Sequence, residues 1–215
     1  MDTAGPYQPA GGGEGGAAMI RIENLQKSYD GKPVLDHFSL TLPDSGIVCL
    51  TGASGRGKTT LLRILAGLEP ADGGSITGLG GRKIAFVFQE DRLLPWITAE
   101  QNIRLVQPHG AKCEVRDLLA QAGLEPADGQ KRPEQLSGGQ RRRIAFLRGI
   151  GFLGDTPDGI LLLDEPFNGL DAAAAQRVCQ MIRSLPDRTL TILVSHQLTP
   201  VQSLEAKFFS MDDLR

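Results

Sequence analysis

The segment Gly52-Ala53-Ser54-Gly55-Arg56-Gly57-Lys58-Thr59 limits what this chain can fold into more than any other stretch of it. It follows a short unbroken apolar run, Ile47 to Leu50, and precedes a helical run from Thr60 to Leu65. An apolar run without alternation reads as a strand buried on both faces. The glycines after it let the backbone curl so that successive N–H groups point at one anion, and the helix start adds the positive end of its dipole. The segment satisfies GxxxxGK[ST] in the strand, loop, helix order that phosphate binding needs. Gly52 through Thr60 are therefore expected to bind a nucleotide, with Lys58 reaching the β- and γ-phosphates and Thr59 ligating Mg2+.

The rest of the pattern gives an α/β fold. Ile84 to Phe88, Ile160 to Leu163 and Leu190 to Val194 are further apolar runs separated by helical segments, which predicts a mostly parallel sheet with helices on its faces. Earlier in the chain, Ile20 and Ile22 alternate with Arg21 and Glu23, and Phe38, Leu40 and Leu42 alternate with Ser39 and Thr41, the period of an antiparallel β-region. Between about residues 91 and 150 polarity rises, Val115, Leu118, Leu119 and Ala122 recur at helical spacing, and no strand run is visible. That stretch reads as a small helical subdomain inserted into the core. Residues 1 to 18 are rich in Gly, Ala and Pro and carry too little apolar surface to offset the entropy of ordering them. They read as a disordered leader or as a gene-start artefact ahead of Met19, and residues 19–215 as one nucleotide-binding domain.

Composition removes several classes of function. The 215 residues are 40% hydrophobic, enough for a packed core, and the formal charge of −2 shows no basic excess, so nucleic acid is not an expected partner. No run approaches the ~18 apolar residues that a membrane-spanning helix needs. The N-terminus lacks the order of a signal peptide, and Cys49, Cys113 and Cys179 are scattered and odd in number. A reducing cytoplasm is the natural setting, with the thiols as packing residues.

A second element matches the phosphate loop. Ile160-Leu161-Leu162-Leu163-Asp164-Glu165 is a hydrophobic strand ending in two carboxylates. Asp164 is placed to hold Mg2+ and Glu165 to take a proton from an attacking water. Between the two elements lies Leu136-Ser137-Gly138-Gly139-Gln140. Ser137 can cap a following helix, Gln140 completes a capping box three residues later, and the glycines leave backbone N–H groups open to a phosphate.

This LSGGQ sequence, lying between the two Walker elements, resembles the signature of ABC ATPases. The resemblance covers Met19 to about Arg215. It implies the ABC ATPase fold, a P-loop core with an antiparallel β-region and an inserted helical subdomain, and it assigns further roles to matching positions. Gln89 resembles the glutamine that senses Mg2+ and water, and His196 the switch histidine at the γ-phosphate. Tyr29 resembles the aromatic that stacks on adenine, against a competing reading as a core residue. Asp171 resembles the D-loop aspartate, although Asn168-Gly169 stands where the family more often has Ser-Ala. Phe88 to Trp96 is similar to the ATPases of nitrate, sulfonate and taurine importers; Leu93, Leu94 and Trp96 read equally as packing or as a groove for a permease helix. Arg141, Arg142 and Arg143 read as a partly solvated helix face.

The resemblance implies a head-to-tail homodimer in which Ser137 and Gly139 of one copy face the phosphate loop of the other across ATP and Mg2+. It further implies an integral-membrane permease, an external solute-binding protein and a place on the cytoplasmic face of the cell membrane. The alternative is a soluble ABC ATPase that assembles another complex. The importer's solute cannot be read from this chain, because the permease and binding protein select it.

Overall fold

The computed structural model describes residues 19–111 and 113–212, and the leader at 1–18 lies outside them. Among the described residues, eight strands form two sheets. β1 (Ile20–Tyr29), β2 (Lys32–Leu42) and β4 (Gly73–Thr77) make an antiparallel sheet in the order β2-β1-β4. β3 (Gly46–Thr51), β5 (Ile84–Val87), β6 (Ile160–Asp164), β7 (Leu190–Val194) and β8 (Lys207–Ser210) make a parallel sheet in the order β5-β6-β7-β3-β8.

Burial explains why the parallel strands read as unbroken apolar runs. Side chains alternate across a strand, so Leu161, Leu163 and Leu193 face one core while Ile160, Leu162 and Ile192 face another. The first core lies under α2 (Ala99–Arg104), α3 (Val115–Gln121), α5 (Gly138–Leu153) and α6 (Ala172–Arg183). The second is closed by the antiparallel sheet and by α1 (Lys58–Leu65), which contributes Leu61, Leu62, Ile64 and Leu65. Gly67 stops α1: at φ 68° it lets its own N–H reach Ile64 O and that of Leu68 reach Arg63 O, satisfying carbonyls of the last turn.

The alternation expected of Ile20 to Glu23 is present, and it breaks at the next residue. At Asn24, φ 49°, a bulge shifts the register so that Leu25 is the next residue to face inward, opposite Phe38. β4 and β8 were not expected. Gly73-Gly74-Ser75-Ile76-Thr77 buries Ile76 alone, and Lys207-Phe208-Phe209-Ser210 leaves Phe208 exposed at the sheet edge, so neither has a complete apolar face to betray it. Between β5 and β6 the described residues hold α2, α3, a single turn α4 (Pro126–Gly129), a 3-10 turn at Pro133–Gln135, and α5. The last helix of the described chain is α7 (Leu198–Ser203), and no helix among those residues is long and apolar enough to cross a membrane.

One side chain ties the entering ends of three parallel strands together. The Arg82 guanidinium donates to Asp44 O (2.8 Å) before β3, to Asp158 O (2.6 Å) and Gly159 O (3.1 Å) before β6, and to Arg188 O (3.1 Å) before β7. A lysine offers one donor atom where this arrangement uses three. Replacing Arg82 with Ala is expected to lower unfolding stability by about 2 kcal/mol, measured by urea denaturation, and Arg82→Lys should recover less than half of that. Full recovery by lysine would mean that charge, not the planar fork, holds the three loops.

Candidate active site

Parallel strands all end at one edge of their sheet, and the sequence-predicted residues collect there. A cleft of about 390 Å³ is lined by Ser54, Gly55 and Gly57 to Thr60 of the loop, by Asp164, Glu165 and Asn168 after β6, and by Gln89, His196 and Tyr29.

The loop's shape depends on Gly57, the residue before α1. It sits at φ 80°, in the left-handed region, and a Cβ there would lie 2.9 Å from both Leu35 Cδ2 and Val34 Cγ1 and 3.1 Å from Val34 O. Lys58 then folds back across the loop, its Nζ donating to Gly52 O (2.7 Å) and Ala53 O (2.8 Å). No side chain caps α1, so the N–H groups of its first turn remain for an anion.

Opposite the loop, Thr59 Oγ1 donates to Asp164 Oδ1 at 3.1 Å, joining the two elements. Burial pushes the Asp164 carboxyl above its ordinary value, while the Thr59 hydrogen bond and the charges of Arg63 and Arg142 oppose that. A buried carboxylate, a threonine hydroxyl and the nearby Gln89 amide form a set of hard oxygen donors, which suits Mg2+. Glu165 comes next in a left-handed backbone, φ 50°, unusual for a residue with a Cβ. Its N–H donates to Val194 O, and both carboxylate oxygens meet His196: Oε2 accepts from the His196 backbone N–H at 3.2 Å, and Oε1 lies 3.4 Å from His196 Nε2. Glu165 is buried, whereas the His196 side chain is 66% exposed at the cleft mouth.

Tyr29 lies at the end of β1, 40% exposed and so available to a flat ring. Lys27 Nζ is 5.5 Å from its ring centroid; burial first and the nearby Glu69 carboxylate second push the phenol above its ordinary value.

Three groups of expected site residues are not in the cleft. Ala53 and Arg56 turn to the other side of the loop, where the Ala53 N–H and Arg56 Nε donate to Asp212 (3.1 and 2.8 Å) beyond β8, and Gly52 lies against the same carboxylate. Ser137, Gly138, Gly139 and Gln140 begin α5 away from the cleft. There the capping box forms as expected, Ser137 Oγ accepting from Gln140 N (3.2 Å) and Gln140 Oε1 from Ser137 N (2.9 Å). Asp171 caps α6, accepting from Ala174 N at 2.8 Å, and the added Cβ of Gly139 would be 3.2 Å from Gly169 O, so signature and D-loop abut each other.

The expectation of a solvated arginine face fails at its centre. Arg142 is 3% exposed, and Arg143 donates to Gly139, Ala122 and Gly123 carbonyls. Three consecutive arginines on a helix cannot share one face, and the core claimed the middle one. Leu93 packs on the helical core while Trp96 is 66% exposed, so packing accounts for the first and not the second. Asn168 in the cleft and Asp212 behind the loop are not legible in the sequence: Asn168 reads only as a departure in the D-loop, and Asp212 carries no local signal at all.

A curled glycine loop at the end of one parallel strand, across a hydroxyl–carboxylate hydrogen bond from a strand that ends in two acids, defines a P-loop nucleotide hydrolase. A family model described as ABC transporter matches residues 35–168. The aliphatic sulfonates import ATP-binding protein SsuB of Cupriavidus necator is 38% identical over 212 residues, covering 93% of this chain and 68% of that protein. The sulfate/thiosulfate import ATP-binding protein CysA of Nephroselmis olivacea is 38% identical over 194 residues, covering 82% of this chain and 55% of that protein. Among solved structures, a dimeric bacterial ABC transporter cassette superposes with a TM-score of 0.76 at 25% identity, over 92% of this chain and 97% of that one. The chain belongs to the ABC transporter family and is one of its ATPases, which use ATP with Mg2+.

Replacing Gly57 with Ala forces a Cβ against the Val34 and Leu35 side chains at a left-handed position, a strain of ~1–3 kcal/mol at the phosphate loop. ATP affinity in an equilibrium titration is expected to fall about tenfold or more; unchanged affinity would mean that this loop conformation is not the one that binds.

Proposed function

We propose that this chain is the energising subunit of an importer for a small oxyanion or sulfonated solute, bound through a permease to the cytoplasmic face of the membrane, with an external solute-binding protein completing the complex. Support comes from relatives whose names specify import of aliphatic sulfonates and of sulfate or thiosulfate. Those names differ in solute at equal identity, so the reading stops at the shared chemistry of a tetrahedral sulfur oxyanion. The exposed Trp96, beside a loop that Asn102 pins by bonding Leu94 and Thr98, is a suitable contact for the permease.

The observation that carries the mechanism is the separation of two anion-ready helix starts. One, at α1, opens into the cleft; the other, at α5, presents an exposed Ser137 outside it. Both suit the γ-phosphate, and one chain does not bring them together, so a second copy in head-to-tail arrangement would supply the missing half. In each composite site Lys58 and the α1 N–H groups hold the phosphates, and Tyr29 stacks on the base. Thr59, Asp164 and Gln89 would hold Mg2+, which when bound neutralises charge on the β- and γ-phosphate oxygens. Glu165, fixed by His196, accepts the proton of the water that attacks the γ-phosphate. The partner copy's Ser137 hydroxyl and Gly139 N–H donate to the charge that develops there.

Glu165→Gln keeps the shape but cannot take the proton, so turnover is expected to drop by ~10²–10⁴-fold with ATP binding retained. Size-exclusion chromatography in MgATP should then show a lasting dimer, and adding Ser137→Arg should abolish it. Wild-type turnover in Glu165→Gln would remove the base assignment; a dimer indifferent to Ser137→Arg would remove the composite site.

A further inference from the structure

Arg142 lies in the second turn of α5, five positions after Ser137, and its side chain is buried. Its guanidinium is surrounded by main-chain oxygens of two other elements. Nη1 donates to Phe88 O at 2.6 Å and to Gln89 O at 2.9 Å, and Nη2 donates to Asp164 O at 2.9 Å and to Glu165 O. Four N–H bonds of one planar fork therefore meet four carbonyls, two on each side. The fifth donor, Nε–H, has no acceptor among the described residues, so the arrangement satisfies the two strand ends at the expense of the arginine itself. Asp91 Oδ1, 3.8 Å from Nη1, is the nearest counter-charge.

What the fork grips is specific. Gln89 and Glu165 both line the cleft, and Glu165 holds a left-handed backbone that persists only where its surroundings over-determine it. Val194 O fixes the Glu165 N–H and His196 fixes its carboxylate, while its carbonyl is held by Arg142 together with a longer bond from the Asn168 N–H (3.3 Å). The fork is also rigidly attached, through little more than one helical turn, to the exposed start of α5. We infer that Arg142 is a positioning residue that couples the Ser137 end of α5 to the placement of Glu165 and Gln89, so that engagement of the helix start by a neighbouring copy sets the geometry of the base. Lysine cannot replace it, because one ammonium nitrogen cannot span two carbonyl pairs at the ends of neighbouring strands.

The inference rests on Glu165 being the base, and a double-mutant cycle in the full chain separates the two ideas. Arg142→Lys and Arg142→Gln are expected to lower kcat about 10- to 100-fold, since small misplacements of a reacting group have effects of that size. Their Kd for ATP should stay within about twofold of wild type, because the phosphate loop is untouched. Placed on Glu165→Gln and followed by single-turnover hydrolysis of labelled ATP, the same substitutions should change the residual rate by less than about twofold. An equal fold loss in both backgrounds, or a loss of affinity that matches the loss of rate, overturns the coupling and leaves Arg142 as packing. Glu165→Gln with wild-type turnover would instead overturn the base assignment. Asp91→Asn removes only the partly exposed counter-charge, and it carries the test where Arg142 variants do not fold. A lower kcat with unchanged affinity is expected for it, and an unchanged kcat overturns the inference.

Discussion

Parallel pairing of β6 with β7 and of β7 with β3 sets the height at which every reactive group stands. Leu50 and Asp164 both register with Val194, and Val87 registers with Leu163 one step below. The residues that follow on each strand therefore leave the sheet at the same level: the phosphate loop from β3, Asp164 and Glu165 from β6, His196 from β7 and Gln89 from β5. A slip of one residue in any pairing would exchange the strand's two apolar sets between the two cores, each packed to the shape of the other set. The two buried cores thus enforce the register, and the register builds the cleft.

Two arginines complete this arrangement from opposite edges of the sheet. Arg82 gathers carbonyls where the strands enter, and Arg142 gathers them where the strands leave. Each uses the same property, a planar cation whose several N–H bonds can reach oxygens on separate chain segments at once. The difference lies in the segments. Those at Arg82 are turns with structural duties, whereas those at Arg142 carry side chains that line the cleft.

In the proposed composite site, stiffness within a half-site and separation between half-sites belong together. The cleft is bound tightly by the Thr59–Asp164 and Glu165–His196 contacts, yet the start of α5 stands outside it, capped by its own Ser137 and Gln140. A site finished inside one chain would turn over regardless of any partner. One divided between two chains makes turnover conditional on their closure, which is the property an energy-coupling ATPase requires.

The sequence by itself determined what depends on neighbours along the chain. A glycine-rich loop after an apolar strand, a capping box at Ser137, an acid pair at a strand end and unbroken apolar runs are local statements; anion binding by backbone N–H groups needs that local order, and the family is carried by the resemblance of Leu136 to Gln140 to its signature. Tertiary structure decided what depends on residues far apart. Arg142 sits among polar residues on a helix face that reads as partly solvated, and only the convergence of Phe88, Gln89, Asp164 and Glu165 carbonyls from other elements makes a buried cation favourable there. Asp212 meets Arg56 across 156 positions of sequence, and β8 pairs with β3 without an apolar pattern of its own. In each case the stabilising partner is a backbone group or a distant charge, and neither leaves a period in the sequence.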